Sequence, residues 1–446
     1  MHDFSTMPIE KFTRPGGYDD CSCGRHHETS LAYLKIGAGA IGSLPEALAA
    51  SGITRPFVLC DQNTWRIAQE KVLPVLRAVD IPYTAHVLSG DHIEPDEATV
   101  GSICMAYDPA SDGVLAVGSG VINDCGKVLS YAVGRPMAVV ATAPSMDGYA
   151  SNSSSMIISR VKVTRYNHCP QAIIADTDIL RHAPERMLQA GLGDMLAKYI
   201  SVCEWRIAHL VTGEPYCENI AGLVRRCVGK IVESADRLMQ RDADAVEAVM
   251  EGLVLSGIAM SYAQNSRPAS GLEHYFSHVW EMMSLERGTP YELHGIQVGV
   301  GTQLTLRTLT QLRGLMPDRD KALAYVAQFD STLWEKEVRR VFGQAADVLL
   351  AIEVEAEKNA PQTHAARLAN ILGHWDAIQS ILKEELPALA SLEALMRKTG
   401  VPVLPEEIGV TSQDVQDAYV HSRDIRNKYI TSSLVWDLGL IETVRP

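Results

Sequence analysis

The chain is 446 residues long, 46% hydrophobic and 21% charged, with a formal net charge of -14 at pH 7. That length exceeds what one ordinary hydrophobic core supports and implies two domains in a folded, soluble chain. The acidic balance, with neither a basic run nor a stripe of basic and aromatic residues, excludes a nucleic-acid partner. No apolar stretch approaches the roughly 18 residues of a membrane span, and residues 1–17 lack the apolar segment of a secretory leader, so the cytoplasm is the expected compartment.

Residues 1–28 read as an N-terminal extension. Within it, Cys21-x-Cys23-Gly24-Arg25-His26-His27 crowds thiols and imidazoles together, but C-x-C lacks the longer spacer of most structural zinc sites. The expectation is a surface turn, with a second metal site as the alternative. Nine cysteines, an odd number scattered along the chain, do not make a disulfide framework. Cys60, Cys104, Cys125, Cys203 and Cys227 read as small buried hydrophobes.

Residues 29–182 read as an α/β dinucleotide-binding domain with a mostly parallel sheet. Short apolar runs at Leu31–Ile36, Pro56–Cys60, Tyr83–Leu88, Val114–Val117, Met137–Ala141, Met156–Ser159 and Ala172–Ala175 alternate there with helical stretches. Asp61 follows the second run, where a carboxylate accepts hydrogen bonds from an adenosine ribose and repels a 2′-phosphate. A cap for the helix that follows is the alternative role. Val114–Val117 leads into Gly118-Ser119-Gly120-Val121-Ile122-Asn123-Asp124 and a helix-like segment from Cys125. Strand, glycine turn and helix start together aim backbone N–H groups at a pyrophosphate. The spacing is not G-x-G-x-x-G, however, and an ordinary tight turn fits the same residues.

Residues 183–446 read as an all-α domain. Apolar residues recur at three- and four-residue spacing over Cys217–Gln240, Ala243–Gln264, Thr363–Leu386 and Gln413–Trp436, with breaks at Pro268, Pro290, Pro317, Pro387, Pro402 and Pro405. Asp194, His274 and His294 come from three separate segments of this half. One carboxylate and two imidazoles with an open position suit a Lewis-acidic divalent cation such as zinc. Taken singly, each has an ordinary reading as a helix cap or a core histidine.

The strings Ala143-Pro144-Ser145-Met146-Asp147-Gly148-Tyr149-Ala150-Ser151, Ala175-Asp176-Thr177-Asp178-Ile179-Leu180, Ser266-Arg267-Pro268-Ala269-Ser270-Gly271-Leu272-Glu273-His274 and Leu404-Pro405-Glu406-Glu407-Ile408-Gly409 resemble the sn-glycerol-1-phosphate dehydrogenase family, its bacterial branch in particular. That family sits within the group of iron-containing alcohol dehydrogenases, glycerol dehydrogenases and dehydroquinate synthases. The resemblance implies the fold described above and a metal held by Asp194, His274 and His294, with zinc or nickel as the ion. It implies a homodimer acting on a phosphorylated small molecule with NAD, or NADP as the alternative. It places Gly118, Ser119, Gly120, Asp124, Thr142, Ser145 and Ser151 along the cofactor, and Asp147 at the substrate hydroxyls. His278, one helical turn after His274, becomes a proton relay or phosphate contact, as in a similar histidine pair of dehydroquinate synthases. Arg267 takes the place of a phosphate-binding arginine, its alternative being a cap on a helix carboxyl end.

The expected reaction is hydride transfer between a nicotinamide cofactor and C2 of dihydroxyacetone phosphate, giving sn-glycerol 1-phosphate. Three rivals stand beside it: a glycerol or polyol dehydrogenase, a sugar-phosphate cyclase and a non-catalytic nucleotide sensor. The cyclases usually carry Glu where this chain has Asp194, and a sensor would not need the Asp/His/His set.

Overall fold

The computed structural model describes residues 2–90 and 93–446. Strands β1 (Tyr33–Gly37), β2 (Pro56–Asp61), β3 (Thr84–Leu88), β4 (Gly113–Gly118), β5 (Met137–Ala141) and β8 (Ala172–Asp176) form one six-stranded sheet, while β6 (Ser153–Ile158) and β7 (Val161–Tyr166) form a separate pair. The large sheet has the order β1-β8-β5-β4-β2-β3, and every pairing in it is parallel. β4, β5 and β8 are buried along their whole length, whereas the edge strands β1 and β3 are largely half-buried. This difference explains why the inner strands read as unbroken apolar runs. One face of the sheet, through Val58, Leu115, Val117, Val140 and Ile174, packs on Leu44, Leu48, Leu73 and Leu76 of the covering helices. Truncating Ile174 or any of these leucines to Ala costs about 2–5 kcal/mol.

Strand order reverses between β2 and β4, and in sheets of this kind ligands gather beyond the carboxyl ends of the strands at such a point. Asp61 ends β2, Gly118 ends β4 and Thr142 follows β5, so all three stand at that edge. The N–H of Thr142 donates to the Gly118 carbonyl at 3.1 Å.

The chain divides into two compact units. The first comprises Met1–Ile158, Lys162–Met195 and Cys217–Ala269, and the second Ser159–Val161, Leu196–Tyr216 and Ser270–Pro446. The division anticipated at residues 182 and 183 therefore does not coincide with these units. The first unit holds the sheet, α1 (Gly120–Val133), α2 (Glu185–Leu196, all but its last residue), α4 (Glu218–Leu238) and α5 (Ala243–Ala263). The second holds α3 (Lys198–Thr212), α6 (Leu272–Arg287), α7 (His294–Leu312) and the helices that follow. No helix among the described residues is long and apolar enough to cross a membrane.

Several expectations need correction. β7 was not anticipated, because Val161–Tyr166 alternates apolar and charged residues and only two positive-φ turn residues, Ser159 and Arg160, link it to β6. Thr363–Leu386 is two helices, Pro361–Gly373 and Trp375–Glu385, broken at His374. Both present apolar faces to a core, so the periodicity runs across the break. Gln413–Trp436 is likewise interrupted after His421, where Arg423 donates to Asn359 at 2.7 Å and Lys428 to the Ser270 carbonyl at 2.6 Å. Cys104 is exposed, while Cys60, Cys125, Cys203 and Cys227 are buried. The turn expected at Cys21–His27 is present, with Ser22, Gly24, Arg25 and His26 exposed, but Cys21 and His27 at its two ends are buried.

Candidate active site

In the first unit, β4 delivers Gly118 and Ser119 to the start of α1, whose first residue is Gly120. A Cβ on Gly118 would lie about 2.5 Å from Ile122, so this turn needs glycine for close packing. Ser119 and Ser145 share a hydrogen bond at 2.6 Å, and the buried Tyr149 hydroxyl donates to the Ala143 carbonyl at 2.7 Å. These bonds tie the glycine turn to the loop after β5. Asp124 and Ser151 serve a neighbouring network. Buried Lys127 pairs with Asp124 at 3.2 Å and donates to Gly148 O at 3.0 Å, to Ser151 at 3.2 Å and to the Ser153 carbonyl. The second oxygen of Asp124 accepts from the Ser155 N–H at 3.0 Å. Asp61 caps the helix Gln62–Ile67, its Oδ1 accepting from the Thr64 N–H at 2.7 Å.

The loop from Pro144 to Ala150 is gripped by two helices at glycines. A Cβ on Gly191 of α2 would overlap the Pro144 carbonyl, and one on Gly257 of α5 would lie 2.8 Å from the Asp147 carbonyl oxygen. This approach allows the Asp147 N–H to donate to Asp194 Oδ2 at 2.9 Å, while Ser256 donates to Asp147 Oδ2 at 2.9 Å. Asp194 is fully buried, and its carboxylate is held by the loop that carries Asp147. Arg267 is also buried, four residues beyond the end of α5, and its N–H donates to Asn265 Oδ1 at 2.9 Å.

In the second unit, α6 and α7 bring three imidazoles together. A Cβ on Gly301 would overlap the Glu273 carbonyl, so glycine lets the two helices pack closely. The His274 and His294 rings are 5.3 Å apart, and those of His278 and His294 are 5.4 Å apart. His274 Nδ1 lies 2.9 Å from Glu273 Oε1, while His294 Nδ1 lies 3.1 Å from Glu281 Oε1 and 3.0 Å from the Ser277 hydroxyl. Where the carboxylate accepts from Nδ1, the imidazole proton sits on that nitrogen and Nε2 keeps its lone pair. Metal-ligating histidines are commonly backed by a carboxylate in this way. Donor atoms of His278, Glu281 and His294 also lie within 4.8 Å of one another. In that alternative set, however, Glu281 is the carboxylate that backs His294.

His278 Nδ1 is buried with no hydrogen-bond partner among the described residues. Burial pushes its pKa well below the usual histidine range, and the Arg426 cation adds to the effect. His278 is therefore a neutral imidazole. The backing residues Glu273, Ser277 and Glu281, together with Lys127 and Ser256, were not anticipated. A carboxylate next to His274 and a lysine on the apolar face of α1 were the available signals.

Behind α6, buried Glu204 accepts from the N–H groups of Leu272 and Thr431 at 3.2 and 3.0 Å. A Cβ on Gly271 would lie 2.6 Å from Glu204 Oε2 and 2.7 Å from Glu273 Oε2, so two carboxylates meet there. Burial, and then the charge of Glu273, raise the Glu204 carboxyl to about 7. The native state thus holds a proton that the unfolded chain releases above about 4.3. Stability consequently falls as pH rises from that value through about 7. In Glu204→Gln, the amide oxygen can keep the N–H bonds while its NH2 faces Glu273. The variant is expected to melt above wild type near pH 8, with the gap closing toward pH 4; a gap independent of pH in thermal unfolding would show that Glu204 does not titrate in this window.

Residues 35–184 match the family model described as iron-containing alcohol dehydrogenase. The glycerol-1-phosphate dehydrogenase [NAD(P)+] of Halalkalibacterium halodurans is 34% identical over 64% of this chain and 72% of that protein. The Bacillus licheniformis protein of the same name is 29% identical over 94% of this chain and 93% of its own. Among solved structures, the glycerol dehydrogenase of Schizosaccharomyces pombe superposes with a TM-score of 0.59 at 17% identity, covering 93% of this chain and 90% of that one. That likeness shows a shared fold of parallel sheet and helical second half. The extent of the sequence matches goes further, and the chain belongs to the glycerol-1-phosphate dehydrogenase family.

Proposed function

We propose that the chain interconverts dihydroxyacetone phosphate and sn-glycerol 1-phosphate with NAD(H) or NADP(H) and one divalent metal ion held by Asp194, His274 and His294. The observation that carries this reading is the pair of carboxylate-backed imidazoles, His274 and His294, in a chain of this family. When bound, the nicotinamide supplies hydride and the ion supplies Lewis acidity at the C2 carbonyl. Zinc and nickel both accept this ligand set. A cytoplasmic homodimer is part of the same proposal.

The chain's own residues then have separate tasks. The α1 N-terminus behind Gly118, Ser119 and Gly120 offers N–H groups to the cofactor pyrophosphate, with Thr142 and Ser145 on the adjacent loop. Asp124 and Ser151 act on the cofactor side through Lys127, which fixes the loop after Gly148. Ser256 orients the Asp147 carboxylate toward substrate hydroxyls. His278, being neutral, can pass a proton through its two ring nitrogens. Arg267 binds the phosphate in a bidentate fork.

The test is NADH oxidation by the purified chain with dihydroxyacetone phosphate, followed by enantiomer-specific assay of the product. Product refractory to an sn-glycerol-3-phosphate oxidase is expected. Formation of the opposite enantiomer, or faster turnover of unphosphorylated dihydroxyacetone, would overturn the proposal.

Asp61 bears on cofactor choice. Its carboxylate should disfavour a 2′-phosphate, and Asp61→Ser removes the charge while keeping a good helix cap. The ratio of kcat/KM for NADPH over NADH is expected to rise in the variant. A wild type that already prefers NADPH would confine Asp61 to capping.

A further inference from the structure

Cys21, Cys23, His27 and Cys217 converge in the first unit, and none of them has a task in the reaction above. Their donor atoms lie within 4.8 Å of one another. Cys21 Sγ is 3.5 Å from Cys217 Sγ, Cys23 Sγ is 3.1 Å from His27 Nε2, and Cys217 Sγ is 3.7 Å from His27 Nε2. Four ligands at tetrahedral angles and ordinary zinc bond lengths stand about 3.8 Å apart for two sulfurs and about 3.6 Å apart for sulfur and nitrogen. We propose that these four side chains bind a structural zinc ion as a Cys3His site that fastens the N-terminal extension to the first unit.

The surroundings are built for that purpose. His27 Nδ1 donates to the Tyr262 carbonyl at 2.9 Å, which leaves the Nε2 lone pair facing the three sulfurs. The backbone N–H of Cys23 and the side-chain amide of Asn219 point at Cys21 Sγ, as thiolate ligands require. Gly24, at φ 72°, turns the chain so that its N–H donates to the Cys21 carbonyl at 2.9 Å. Tyr18 and His27 then pair backbone to backbone at 2.9 and 3.0 Å, closing a small loop. C-x-C therefore works without a longer spacer, because the third thiol comes from Cys217 at the start of α4, 194 residues after Cys23.

Cys21, His27 and Cys217 are each less than a tenth exposed, and four protein ligands leave no open position, so the site is structural. The described part of the first 28 residues has a short 3-10 helix, Ile9–Thr13, and the rings of Phe4, Phe12 and Tyr18, which cluster with Tyr262. A zinc clip stabilises so small a module, which is otherwise held by those rings and by Arg226 donating to the Ser5 and Met7 carbonyls at 3.1 and 2.7 Å.

The test uses the full chain purified under reducing conditions without chelator. Zinc content by mass spectrometry is expected to fall by one ion per chain in Cys21→Ser/Cys23→Ser and to be kept in His27→Cys, which supplies a fourth thiolate; Asp194→Asn, which empties only the catalytic site, is expected to retain one zinc per chain. In the wild type, Cys21, Cys23 and Cys217 should resist alkylation while zinc is held, and a mercurial titrated into the chain should release one zinc as it binds these three thiols, a measurement that does not depend on the variants folding. Alkylation of these thiols in the native chain without zinc release overturns the proposal. So does unchanged zinc in the double variant, or an intact mass that reports a Cys21–Cys217 disulfide.

Discussion

Asp194→Asn, His274→Ala and His294→Ala are each expected to abolish turnover and to lose bound metal from the catalytic site. Lewis-acid stabilisation of a developing alkoxide is worth several kcal/mol, so removing it lowers the rate by on the order of a thousandfold or more. The Asn variant isolates the charge, because it keeps an oxygen to accept from the Asp147 N–H. Circular dichroism and thermal unfolding must show a native chain before the loss is read as catalytic. His278→Ala decides between the two possible ligand sets: retained metal with reduced turnover is expected if His274 is the ligand. Loss of metal in His278→Ala but not in His274→Ala would instead assign the ion to His278, Glu281 and His294, whose donor atoms lie within 4.8 Å of one another. Full wild-type activity after exhaustive chelation would remove the metal from the mechanism.

Arg267→Ala is expected to lower kcat/KM for dihydroxyacetone phosphate by roughly 30- to 150-fold, the equivalent of losing a charge-assisted bidentate contact worth about 2–3 kcal/mol. Unphosphorylated dihydroxyacetone never makes that contact and should be affected far less, so the gap between the two substrates narrows. Arg267 is 5% exposed, so its removal also leaves a cavity. Arg267→Lys keeps the charge but loses the planar fork, and is expected to fall between wild type and Ala. Equal losses on both substrates would make Arg267 a packing residue.

Much of the fold was legible because its signals are local. The inner strands are unbroken apolar runs since both sheet faces are covered, and six of the seven anticipated runs became strands of the large sheet. The helical half was legible from its periodicity, but the break at His374 was not, because both flanking helices bury a face. Asp61 shows the limit at a single residue: its position predicted equally a ribose contact and a cap, and the geometry displays the cap. Asp124 was expected on the cofactor side, yet its carboxylate is shared between Lys127 and the Ser155 N–H.

By itself the sequence determined the class of fold, the family and the residue types able to hold a metal, because periodicity and short motifs are written within a few neighbouring positions. Only the tertiary structure decided which groups orient them. Glu273 and Glu281 back His274 and His294, the Asp147 N–H meets Asp194, and Cys217 joins Cys21, Cys23 and His27. Two of these pairings depend on glycines, Gly191 and Gly301, that let helices approach a carbonyl more closely than any side chain permits. Contacts between residues far apart in the chain follow from packing, which no local pattern encodes.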